Sequence, residues 1–399
     1  MKSFHETPSA TIDRYTRGNQ PFAIISKQGK DDVHLLSGQV DHLERLTDIP
    51  RPSDSADAGD RYDTLSVIPF SQAREAGLEA KKDNCKIRCM TVQEQSRLQL
   101  HDLFTALSQE EITLKEGIHY SETEEEYADI VRRVVEEQIK QGNTCNCVIS
   151  TNAHCKIAEM TPRKALSVFR KILMNEFGAY MTFFFYDGES YHIGASPEKQ
   201  ITVDHNEVRM NPISGTFRKA GGEIDREKFI AFLENLKEQN ELFMCLDEEL
   251  KQMAQMCEAG GVIVGPLLKE MSKLVHTEYE LIGKSEKDII DLLRTSLHAP
   301  TVTGSPRQSA HHIIAEMEST SRAYYAGTLA LMGHHADGTE FLDSSIMIRT
   351  MNILPNGLVS MRVGSSIVRD SISEEEAKEC RAKLAGISAA LMANNPGRV

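Results

Sequence analysis

An aspartate-glycine pair set between two apolar runs is the feature that most narrows what this chain can become. In Phe183-Phe184-Phe185-Tyr186-Asp187-Gly188-Glu189-Ser190-Tyr191-His192-Ile193 the Asp-Gly step supplies the residues that tolerate a tight turn. The flanking runs therefore read as two antiparallel strands. Pro355-Asn356-Gly357 repeats the signal between runs at 345–353 and 358–368. Further strands are expected at 22–25, 65–68, 201–210 and 327–332. Hairpins build antiparallel sheet, and here they alternate with long helical segments. One opens at Thr123, an N-cap candidate, and keeps helical period until Gly142; others span 306–322 and 374–392. The longest is expected from Asp225 to about Glu258, closed by Gly260-Gly261. The class that follows is α+β.

The chain has 399 residues, room for one large domain or two modest ones. Its 59 Asp and Glu outnumber 45 Lys and Arg, for a formal net charge of −14. With no basic stripe to neutralise phosphates, nucleic acid is not an expected partner. No apolar run approaches the ~20 residues that a membrane span needs. The start Met1-Lys2-Ser3-Phe4-His5-Glu6 lacks the apolar stretch of a signal peptide, so no membrane and a cytoplasmic location are expected. Eight cysteines without a CxxC pair read as small residues of a reducing compartment. The Pro/Ser/Asp-rich stretch 50–60 reads as a loop.

Several residues are placed for chemistry. Glu376, Glu379 and Lys383 are three and four apart and share a helix face, either a solvated first turn or one wall of a site. Glu241 stands beside Leu242-Phe243-Met244 in a helix that must pack, where a carboxylate calls for a cation or a metal. If these acids converge, they form an all-oxygen site suited to Mg2+. The turns Gly194-Ala195-Ser196-Pro197-Glu198, Pro212-Ile213-Ser214-Gly215-Thr216, Thr301-Val302-Thr303-Gly304-Ser305-Pro306 and Val363-Gly364-Ser365-Ser366 either turn the chain or present backbone N–H groups to an anion. Arg349, inside an apolar strand, either caps a sheet edge or clamps a planar carboxylate. His276 is similarly placed. The His311-His312 and His334-His335 pairs have no partners at metal-ligand spacing.

Taken together and in order, these motifs resemble the chorismate-utilising enzymes: anthranilate and aminodeoxychorismate synthase large subunits, and isochorismate and salicylate synthases. They are GASPE (194–198), PISGT (212–216), Lys237-Glu238 with Glu241, Val275-His276, TVTGSP (301–306), Glu318 with Arg322, Ile348-Arg349-Thr350, and the Glu-rich helix after Asp370-Ser371. Within that family the chain is most similar to the phenazine-pathway 2-amino-2-deoxyisochorismate (ADIC) synthases, through Leu65-Ser66-Val67-Ile68-Pro69-Phe70, Glu241-Leu242-Phe243-Met244 and Leu274-Val275-His276-Thr277-Glu278-Tyr279. The resemblance implies an anthranilate synthase component I-like fold, antiparallel β-sheets packed face to face with helices outside. It implies an N-terminal part of that fold over 1–120, a chorismate-binding core over 121–392 and a tail at 393–399. With no cysteine in a GxCxG context, no glutamine amidotransferase domain is expected.

The resemblance also implies roles. Glu241, Glu376 and Glu379 would hold Mg2+ against the ring carboxylate of chorismate. Glu198 would be the general acid, and His276, present as in members that go on to eliminate pyruvate, would be a second catalytic residue. Ser214, Gly215, Thr216, Thr303, Gly304, Arg349, Gly364, Ser365 and Lys383 would bind substrate. Where water-adding members carry a lysine base, the matching residue is Asn146. An amide cannot take a proton from water, whereas ammonia needs only placement. ADIC formation from chorismate and ammonia is therefore expected, with ammonia free or from a separate glutamine amidotransferase subunit. The alternatives are an anthranilate synthase large subunit and a catalytically silent scaffold. A homodimer is the assembly that the resemblance suggests.

Overall fold

The computed structural model describes residues 7–51, 59–107, 109–219, 222–272 and 274–392. Most of the loop expected at 50–60, and the whole 393–399 tail, lie outside them.

Residues 22–25 of the strand Phe22–Lys27 and all of Met181–Tyr186 are buried, which consecutive strand residues can be only if both faces are covered. They pair antiparallel, Ile24 opposite Phe184. Alternation then sends Ala23, Ile25, Phe183 and Phe185 into one core and Phe22, Ile24, Phe184 and Tyr186 into another. The strand Thr328–His334 does the same: Leu329 and Leu331 join Ala23 and Phe183, while Ala330 and Met332 face a third core. The shared core thus lies between two layers of antiparallel strands. Helices close the outer cores. Tyr127, Leu166 and Leu384 from Glu124–Arg133, Pro162–Asn175 and Ser373–Ser388 cover one side. Leu246 and Leu293 from Leu236–Met256 and Ile289–Ser296 cover the other. This is the expected α+β arrangement.

Both layers belong to one 18-stranded sheet. Asp32–Leu43 pairs with Phe22–Lys27 in one layer, Ile87–Gln99 pairs with Arg61–Ile68 in the other, and these two long strands pair with each other. Their register slips between Ser37 and Gly38. A Cβ on Gly38 would stand 1.9 Å from the Thr91 carbonyl oxygen, so only glycine lets the backbones close at this bulge.

Several elements break where the sequence predicts continuity. The helix expected over Asp225–Glu258 is two, Arg226–Leu233 and Leu236–Met256, because Asn235 caps the second by accepting from the Lys237 N–H at 2.8 Å. The 201–210 strand is a hairpin, Lys199–Asp204 and Glu207–Met210, turning on left-handed His205 and Asn206. The 345–353 strand is interrupted at Arg349, whose φ is +54°, leaving Glu340–Ile346 and Thr350–Ile353. The 306–322 helix ends at Met317.

That early end frees Glu318 and Arg322 for a buried pair. Arg322 donates from Nη2 to Glu318 Oε1 at 2.7 Å and also bonds the Val302 and Val148 carbonyls, each at 2.7 Å. Glu318 Oε1 further accepts from the Ser150 N–H at 2.8 Å and its hydroxyl at 2.7 Å. Replacing Arg322 by Met leaves Glu318 buried and unpaired, a loss of roughly 3–5 kcal/mol expected in urea unfolding. Lysine at 322 restores only part of this, since it lacks the fork that reaches both carbonyls. Gly38→Ala is expected to lower stability by roughly 1–3 kcal/mol in the same measurement.

Candidate active site

The break points aim side chains at one cavity. Strand Ile213–Arg218 pairs with Leu274–Lys284 and slips register between Ser214 and Thr216. Gly215, left-handed at φ +64°, lets the turn sit against Thr277, Phe232 and Glu238, which a Cβ would crowd to 2.9–3.3 Å. The same turn offers its carbonyl to His276. The cavity is lined by Glu198, Ser214, Gly215, Thr216, Glu241, His276, Arg349, Gly364, Glu376, Glu379 and Lys383 of the expected residues.

Glu198 is buried just after the strand Tyr191–Ser196, with the Ile213 N–H donating to its Oε1 at 3.3 Å. Burial, with the nearby Glu278 charge adding to it, pushes its carboxyl up to about 8. His276 moves the other way: burial and then the Arg349 and Lys383 charges hold it down to about 3. Its neutral ring donates from Nδ1 to the Gly215 carbonyl at 2.9 Å and accepts at Nε2 from Arg349 Nη2 at 2.8 Å. Since a guanidinium only donates, this contact fixes the tautomer. Arg349 thus enters the cavity through its left-handed backbone, held by His276 and the Met271 sulfur rather than by a carboxylate.

A wall of acids faces these groups. Glu238 and Glu241 come from the helix Leu236–Met256, and Glu376 and Glu379 from Ser373–Ser388. Ser214 donates to Glu241 at 2.8 Å and Ser371 to Glu376 at 2.8 Å. Lys237 pairs with Glu376 at 3.0 Å and Lys383 with Glu379 at 2.7 Å. Among the described residues Glu241 has no such cation, and burial followed by the charges of Glu238 and Glu379 pushes it up to about 7. Among the described residues, Glu241, Glu376 and Glu379 do not bring three oxygens within 4.8 Å of one another. The donor set itself is all oxygen and short of positive charge at Glu241, which fits a hard dication such as Mg2+.

Four expected residues do not line the cavity. Ser365 lies between Gly364 and Ser366, which do, so strand alternation turns it away and its hydroxyl meets Tyr127 at 3.0 Å. Thr303 bonds the Ala299 carbonyl at 2.8 Å, and Gly304 pairs with Cys147 where a Cβ would lie 2.4 Å from the Asn146 oxygen. Asn146 accepts from the Ser305 N–H at 2.6 Å, while Val148, two residues along, lines the cavity. These residues hold the wall in place. The cavity adds Lys237, Glu238, Tyr325, Arg362 and Ser366. Lys237 and Glu238 stand in the motif with Glu241 and carry no expected site role, though Glu238 lies three before Glu241; Arg362 could have been read from its place two before Gly364 on one strand face, and Tyr325 carries no such signal.

The profile of the chorismate binding enzyme family matches residues 62–389. The phenazine-specific anthranilate synthase of Pseudomonas chlororaphis is 40% identical over 382 residues, 95% of this chain and 60% of that protein. Its counterpart in Pseudomonas fluorescens is 40% identical over 375 residues, 93% and 59% of the two chains. The chain therefore spans about three fifths of the length of these curated relatives. Among solved structures, the menaquinone-specific isochorismate synthase of Escherichia coli superposes with a TM-score of 0.77 at 16% identity, over 98% of this chain and 92% of that one. Anthranilate synthase component I of Streptococcus pneumoniae gives 0.68 at 19%, over 93% and 90%. At such identities the likeness to both is one of fold. The profile match covers most of the chain and takes in every acid and cation of the cavity: this protein belongs to the family of chorismate binding enzymes.

Proposed function

We propose that the cavity converts chorismate and ammonia to ADIC, with the enolpyruvyl group retained. The observation that carries this reading is the burial of Glu198, which pushes its carboxyl up to about 8, inside a cavity that also holds cations suited to a dicarboxylate. Glu198 gives its proton to the 4-hydroxyl, which departs as water while ammonia bonds at C2 and the ring double bond shifts. Arg349, steadied by His276, and Lys383 hold the pyruvyl carboxylate. Mg2+ on Glu241, Glu376 and Glu379 would bind the ring carboxylate and draw charge from the ring.

Ammonia is favoured over water because, among the described residues, no lysine or histidine nitrogen in the cavity is free to take a proton. Lys237 and Lys383 are paired with glutamates that hold their protons, and the His276 Nε2 lone pair is occupied by Arg349. Asn146 carries only an amide. The relatives named as phenazine-specific anthranilate synthases support an anthranilate synthase-type reaction on chorismate, the class to which both readings below belong. Ammonia arrives free or from a separate glutamine amidotransferase subunit, and a cytoplasmic location is part of the same proposal. No helix among the described residues is long and apolar enough to cross a membrane. His276 in the cavity favours a second reading, anthranilate synthase, in which pyruvate is also eliminated.

Incubation with chorismate, Mg2+ and an ammonium salt separates these readings. A non-aromatic amine that keeps the enolpyruvyl group is expected; direct appearance of fluorescent anthranilate supports the second reading, and no turnover supports a silent scaffold. With rates expressed per unit of unprotonated ammonia, kcat/KM is expected to fall as pH rises through about 8, because Glu198 must enter the cycle protonated. Glu198→Gln is expected to cost at least roughly 100-fold in kcat.

A further inference from the structure

Among the described residues, one group of three metal-ligating side chains places its ligand atoms within 4.8 Å of one another, and it lies outside the cavity: Asp204, His205 and His335. Two neighbouring turns assemble it. The first is the hairpin between Lys199–Asp204 and Glu207–Met210, which reverses on left-handed His205 and Asn206. The second joins Thr328–His334 to Glu340–Ile346. Strands Lys199–Asp204 and Glu340–Ile346 pair, so the turns stand side by side.

Asp204 Oδ1 lies 2.6 Å from His205 Nδ1 and 2.9 Å from His335 Nε2. The two rings stack at 4.5 Å, and His335 also packs on Phe341 at 5.0 Å. The remote nitrogen of each ring meets a second carboxylate: His205 Nε2 is 3.4 Å from Asp337, and His335 Nδ1 is 3.5 Å from Asp60. Both outer acids are oriented by backbone donors, Asp337 by the Thr339 N–H at 2.9 Å and Asp60 by the Ala336 N–H at 3.1 Å. A metal-binding imidazole needs this layout, one nitrogen toward the ion and the other held by a carboxylate that sets ring and tautomer.

We propose that Asp204, His205 and His335 form a binding site for a divalent transition metal of zinc type, with Asp337 and Asp60 as outer partners and water completing the coordination. Two imidazoles and one carboxylate suit Zn2+ and disfavour Mg2+, which takes oxygen ligands. Three carboxylates around two imidazoles leave an excess of negative charge that a dication offsets. The bound ion staples the two turns and stabilises the folded chain.

The test is a titration of the full chain, stripped with a chelator, with ZnCl2 and separately with MgCl2, by calorimetry and thermal melting. One saturable Zn2+ site per chain is expected, with a rise in Tm that Mg2+ does not produce. His205→Ala and His335→Ala each abolish both effects, and Asp337→Asn weakens binding by roughly 10-fold. His154→Ala, elsewhere on the surface, leaves them intact. Asp337→Asn removes no ligand and no backbone support of the turn's fold, so it reads the site even if an alanine variant is poorly folded. Absence of saturable binding, or binding undiminished in the His205→Ala/His335→Ala double variant, overturns the proposal.

Discussion

The buried pair of Glu318 and Arg322 is the contact on which the cavity depends. Both side chains are about 1% exposed, and two charges taken out of water are costly unless every donor and acceptor is met. Here they are met by backbone: Arg322 ties the Val148 and Val302 carbonyls, and Glu318 ties the Ser150 N–H. Val148 and Val302 are themselves cavity wall. The guanidinium also lies 4.8 Å over the Phe70 ring, which brings the N-terminal third of the chain against the same centre. One ion pair thereby holds strand, turn and helix end in the register that the cavity needs.

Within that frame, burial sets opposite protonation states for neighbouring groups. Taking Glu198 from water favours its neutral form, and taking His276 from water favours its neutral form as well, so one keeps a proton and the other loses it. The result is a proton donor close to a fixed cation, Arg349, whose orientation the neutral imidazole sets. On the facing wall, two lysines answer Glu376 and Glu379, while burial raises Glu238 and Glu241, helped at Glu238 by the charges of Glu379 and Glu376 and at Glu241 by that of Glu238.

Much of this was legible in the sequence because it is local. Asp187 accepts from the Glu189 and Ser190 N–H groups at 2.8 and 2.6 Å and closes the hairpin that Asp-Gly announced. Thr123 caps its helix as expected, and Glu126 caps it in return. The order of the motifs gave the family, and eleven of the expected site residues meet in one cavity. What failed was continuity. Asn235 and Arg349 sit in runs whose periodicity carries straight through them, and only tertiary contact decides that the chain turns there. Ser365 failed by one residue of strand alternation, since a motif names a turn but not which of its residues faces inward. His335 found no partner in the sequence because Asp204 and His205 lie far from it along the chain and are joined to it only by strand pairing.

The central claim is that Glu198 waits in this cavity as a neutral acid. Difference infrared spectroscopy of the wild-type protein against Glu198→Gln, followed across pH, reads that proton without any turnover. The account predicts a protonated carboxyl band at neutral pH that disappears as pH rises through about 8. A Glu198 already ionised at pH 6, with a titration in the ordinary carboxylate range, would contradict it.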